Sequence, residues 1–173
     1  MKDKDTLFNT LSNINNWTMN CDTKASVILG SYGVAFSLIF VTDVINKIID
    51  IIKACINAMS VTIGMYVFVL IASSICLLLG LGFLIAVLIP RIDSNKPSLM
   101  FFALVSEIKT PEAYKDAVFS CDEGIMLEDL SNQIYAAAKI CTKKFKYQKL
   151  GLLFFAAGWL VFFVWLIIGY VAF

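Results

Sequence analysis

Asn16-Trp17-Thr18-Met19-Asn20-Cys21-Asp22-Thr23-Lys24-Ala25-Ser26 is the stretch on which the reading of the whole chain turns. Before it the sequence is polar; after it, Ala25 to Thr42 holds no charged residue. Charges are costly inside a bilayer, so such a run marks the point where water gives way to membrane. The boundary also carries an aromatic ring, an acid and a base, with Asp22 and Lys24 two residues apart. The expectation is that this junction couples a polar sensing part to a membrane part.

Working outward, the 173 residues are 60% hydrophobic, above the roughly 45–50% of a soluble domain. The apolar residues lie in blocks, as an integral membrane protein requires. Residues 1–22 lack the apolar core of a signal peptide, so insertion is expected through the spans themselves. A net charge of +1 argues against nucleic-acid binding. Histidine is absent, which removes the commonest general base and metal ligand. The five cysteines form no C-x-x-C pair, so they read as packing residues rather than a disulfide or zinc framework. No phosphate-binding glycine loop or nucleophile elbow occurs. Neither an enzyme nor a metal site is expected.

The chain reads as an all-α integral membrane protein with three transmembrane helices. Leu7, Leu11, Ile14, Trp17 or Thr18, and Cys21 mark an amphipathic helix over 5–21, despite its many asparagines. A first span covers 25–45, with Ser26, Gly30, Gly33 and Ser37 as a small-residue face. Asp43, Lys47, Asp50, Lys53 or Ala54, and Asn57 then form a polar stripe among isoleucines. That helix either extends the first span or lies in the interface. No charge falls between Ala54 and Pro90, and the second span is expected at 62–89, closed by Pro90-Arg91.

A polar insert follows at 91–149. It opens with a loop, Asp93 to Ser98, and a short apolar stretch, Leu99 to Val105, that reads as helix or strand. Thr110-Pro111-Glu112 is a helix start. Tyr114, Val118 and Cys121, then Leu127, Leu130, Ile134, Ala137 or Ala138, Cys141 and Phe145, give one interrupted helix or a hairpin of two. Asp122-Glu123 and Glu128-Asp129 read as a solvated face. The insert ends basic, and a third span covers 150–171.

Nine of the fourteen basic residues lie in 91–149, which predicts a cytoplasmic insert by the positive-inside rule. The N-terminus is then inside and the C-terminus outside. Residues 1–24 and 91–149 share one compartment and are expected to form a cytoplasmic helical unit. Lys24, Ser26, Arg91, Asn95, Lys96 and Ser98 gather at that membrane face, suited to lipid phosphates or a small anionic ligand such as a nucleotide.

Several short motifs resemble the membrane-spanning effector family of bacterial Pycsar antiphage systems. They are Trp17 with Asp22-x-Lys24-Ala25-Ser26, Pro90-Arg91, Phe101-Phe102, Tyr114, Leu127-x-x-Leu130-x-x-Gln133-Ile134 and Lys146-Tyr147. The resemblance covers nearly the whole chain. It implies a partner cyclase making a cyclic pyrimidine nucleotide, cCMP or cUMP. It also implies an effector that damages the bacterial inner membrane and aborts infection, and a homo-oligomer in the lipid bilayer. Trp17, Asp22, Lys24, Ser26, Arg91, Asn95 and Lys96 are the candidate ligand-binding residues. The competing readings are a small channel or transporter subunit, and a structural membrane protein with a partner-binding cytoplasmic helix. Against transport, the first and third spans carry no central charge.

Overall fold

A computed structural model describes residues 2–41, 43–58, 61–90 and 98–172. They form six helices: α1 (Lys2–Val41), α2 (Val44–Ala58), α3 (Val61–Leu88), α4 (Phe102–Val105), α5 (Pro111–Phe119) and α6 (Glu123–Ala172). No strand occurs among the described residues. Three helices, α1, α3 and α6, are long and apolar enough to cross a membrane.

The expected break between the N-terminal helix and the first span is absent. α1 runs unbroken through the opening stretch and ends at Val41, short of the expected 45. The reason is a seam that never changes phase. Leu7, Leu11, Ile14, Thr18, Cys21, Ala25, Ile28, Tyr32, Ala35 and Ile39 alternate steps of four and three, and all are buried or half-buried. Such a repeat keeps one face turned to a partner, and tertiary packing of that face outweighs the poor helix propensity of asparagine. Thr18 takes the seam position and Trp17 is left 57% exposed.

α6 follows the same rule over 50 residues. The insert's last helix and the third span are one element. Its seam runs Leu127, Leu130, Ile134, Ala137, Cys141, Lys144, Gln148, Gly151, Phe155, Gly158, Phe162, Trp165 and Gly169. From Cys141 the step is three rather than four, so Lys144 is only 6% exposed while Phe145 stays outside.

The chain divides into two compact units. The first comprises Met1–Asn20 and Pro90–Lys144; the second comprises Cys21–Ile89 and Phe145–Phe173. In the first, the stretch expected as helix or strand at Leu99–Val105 is helical only in its last four residues, the short helix α4. Thr110 caps α5 by accepting from Ala113 N at 3.2 Å, with Pro111 at the first position. The helix breaks at Ser120–Asp122, just before Gly124, and Asp122 Oδ2 accepts Gly124 N–H at 3.3 Å to start α6.

The membrane unit is built on α3 and α6 lying antiparallel. Leu84 meets Gly151, Gly80 meets Phe155 and Leu77 meets Gly158. A Cβ on Gly80 would stand 2.9 Å from the backbone nitrogen of Phe155, so glycine there lets the two backbones touch. Tyr66 and Trp165 lock the far end. The Tyr66 hydroxyl donates to Trp165 O at 2.7 Å, and the Trp165 indole donates to Tyr66 O at 3.0 Å. α1 joins through Tyr32, whose hydroxyl donates to Leu77 O at 3.1 Å. Other hydroxyls return to their own helix: Ser31 to Ile28 O, Ser37 to Gly33 O, and Ser74 to Leu70 O. Lipid offers no partner, so these hydroxyls bond within the protein, while the buried Trp159 indole nitrogen has no partner among the described residues. Val44 and Ile48 of α2 pack on the same core, while its Asp50 and Lys53 remain exposed and pair at 3.8 Å.

Candidate functional site

The polar end of the membrane unit carries a shallow groove lined by Lys24, Phe145, Lys146, Gln148, Lys149 and Leu152. α1 supplies the first residue and α6 the rest. Helix periodicity explains the set: Phe145, Gln148, Lys149 and Leu152 are three or four apart, hence neighbours on one side of α6. Gln148 is fixed by Cys21, whose thiol donates to Oε1 at 3.3 Å. That contact ties α1 to α6 beside the groove and occupies the carbonyl end of the amide, leaving its N–H₂ end as a donor. Lys24, Lys146 and Lys149 form no ion pair among the described residues. The nearest acid in sequence is Asp22, outside the groove lining; α1 has none after it, and α6 has none after Asp129. The arrangement can hold an anion.

Lys24 lines the groove. Asp22 and Ser26 do not: residues two apart on a helix point to nearly opposite sides. An Asp22–Lys24 pair, suggested by their closeness in sequence, is therefore not what the continuous helix presents. The Ser26 hydroxyl instead donates to Asp22 O at 3.0 Å. Trp17 belongs to the other unit. Arg91, Asn95 and Lys96 lie outside the described residues. The lysines at 146 and 149 were visible only as part of a basic run. Their phase on α6 was the missing signal, since it depends on whether the seam steps from Cys141 to 144 or to 145.

The first unit holds a second polar constellation that sequence reasoning passed over. Asp129 Oδ2 accepts from the Ser98 hydroxyl at 2.9 Å and from Leu99 N at 3.1 Å. Ser98 Oγ accepts from Phe101 N and from Gln133 Nε2, both at 3.0 Å. The Tyr114 hydroxyl donates to Leu99 O at 3.1 Å. Asp129 is thus not a solvated acid. It latches the start of the 98–105 segment onto α6, and the segment in turn holds α5 through Tyr114. No group of three or more potential metal ligands occurs among the described residues.

Three apolar helices joined to a polar helical unit define a multi-pass membrane protein. A family profile described as the Pycsar effector protein domain, PycTM, matches residues 6–171. The chain belongs to that family, and is a membrane effector of antiphage defence. Membership implies a cyclic-nucleotide signal from a partner cyclase. The chain is similar to the Pycsar effector protein GmPycTM of Gulbenkiania mobilis, 25% identical over 177 residues that take in 93% of this chain and 90% of that one. No solved structure matches.

Proposed function

We propose that this effector sits in the bacterial inner membrane, responds to cCMP or cUMP made on phage infection, and then disrupts that membrane so that the cell dies before phage release. The observation that carries the reading is family membership over residues 6–171, together with the way α1 and α6 each contribute to both units. A helix shared between a polar unit and a membrane span is a direct route by which one can bias the other. The ligand acts by binding one arrangement of the polar unit more tightly than the other, and the shift it causes is bounded by that difference.

In this reading 1–24 and 91–149 face the cytoplasm, where the messenger is made, and the C-terminus faces outward. The active species is a homo-oligomer, because one copy with three spans leaves α1 with an open small-residue face: Gly30 and Gly33 have no atom within 4 Å of an added Cβ.

Dye entry tests the reading. Cells that co-express the protein with an active pyrimidine cyclase should admit a membrane-impermeant dye. Cells carrying an inactivated cyclase should exclude it. Intact membranes in both, at equal protein levels, would rule the reading out.

A further inference from the structure

We propose that the groove of Lys24, Lys146, Gln148 and Lys149 is a binding site for an anionic phospholipid. The headgroup phosphodiester lies among the ammonium groups and the Gln148 amide, and the first acyl carbons lie along Phe145 and Leu152.

Depth in the bilayer is the first argument. Lys24 is the last charge before the uncharged run 25–42, and Lys149 is the last before the uncharged run 150–173. Both runs start at this groove, so it stands at the level of lipid phosphates, where basic side chains end membrane spans. The charge is the second. Three lysines line the groove and none is in an ion pair among the described residues, so an anion reached by their flexible side chains gains all three attractions at once. The third is the apolar half of the lining. Phe145 is 43% exposed and Leu152 49% exposed. A water-soluble phosphodiester would leave both against solvent, whereas a lipid covers them with its own chain. The Cys21–Gln148 contact holds the amide beside the phosphate. This site stands whether or not a cyclic nucleotide gates the protein.

The test is native mass spectrometry of the full-length protein released from mixed micelles of phosphatidylglycerol and phosphatidylcholine with identical chains. The intact protein should retain phosphatidylglycerol preferentially. Each of Lys24→Gln, Lys146→Gln and Lys149→Gln should lower that preference roughly fivefold, the effect of one basic residue near an anionic surface. The triple variant should bind the two lipids equally. A Lys139→Gln/Lys143→Gln variant, with the same kind of charge removed outside the groove, should keep the preference. Matching melting temperatures in lipid-free detergent establish that the variants fold. Unchanged preference in the triple variant overturns the proposal, and so does an equal loss in the control, which would mean diffuse juxtamembrane charge. Displacement of the lipid by free cUMP at equal concentration also overturns it, by assigning the groove to a soluble phosphodiester.

Discussion

Gly80 of α3 with Gly151 and Gly158 of α6, and Gly30 with Gly33 of α1, occupy similar apolar helices and meet opposite surroundings. Gly80, Gly151 and Gly158 stand where an added methyl would strike a neighbouring helix, whereas Gly30 and Gly33 face open space. In water the two sets would be told apart by burial of apolar area. In lipid that driving force is missing, and close packing together with internal hydrogen bonds must do the joining. The α3–α6 pair therefore has a fixed register, read off in matched contacts from Leu84–Gly151 down to the Tyr66–Trp165 lock. α1 is held along its seam and free on its outer side. The fold concentrates its tight glycine contacts in one antiparallel pair and leaves the outer side of the other span available to lipid or to a second copy.

The largest way to break this contrast is Gly80→Ala. Its methyl would press on the Phe155 backbone, which cannot rotate away, and overpacking of this kind costs about 1–3 kcal/mol. Unfolding in mixed micelles should show the loss, and an unchanged midpoint would mean the helices do not touch there. Next comes Asp129→Ala, which removes the acceptor of two charge-assisted hydrogen bonds; because Asp129 is only half-buried, a loss of about 1.5 kcal/mol is expected. The measurement is hydrogen exchange, with the amides of 99–101 losing protection while the α3 and α6 spans keep theirs. Tyr66→Phe takes away one interhelical hydrogen bond, worth about 0.6 kcal/mol in a membrane, and should lower the same unfolding midpoint only slightly. Gly30→Leu should leave the stability of a single copy nearly unchanged, since a Cβ at that position meets no atom within 4 Å. If the open face serves self-association, dye entry should nonetheless be lost, and retained killing by this variant would leave the face to lipid.

Much of the architecture was legible because bilayer physics writes it in runs. The stretches without charge located three spans, and the four-and-three spacing from Leu7 to Cys21 located the first helix. What the sequence hid was continuity. Asn9, Asn13, Asn15 and Asn16 argue locally against a helix, and only the phase shared with Ala25, Ile28 and Tyr32 shows that one helix crosses the boundary. The same ambiguity hid half of the groove: Phe145 looked like a seam residue, and placing it inside would have turned Lys146 and Lys149 elsewhere. Lys24 was legible from its place at the end of an uncharged run. Its partners lie more than a hundred residues away, on a face that local pattern alone leaves undecided. Asp129 was missed because an acid on a helix looks solvated until the distant Ser98 is known to reach it.

The central claim is that a cyclic pyrimidine nucleotide acting on this chain opens a membrane. It is tested most directly with the purified protein in anionic liposomes filled with self-quenched dye. Adding cCMP or cUMP should release the dye within minutes, while 5′-CMP, 5′-UMP and cyclic purine nucleotides should not. Release that is the same with and without the cyclic pyrimidine, or none with either messenger from well-loaded vesicles, would contradict the account.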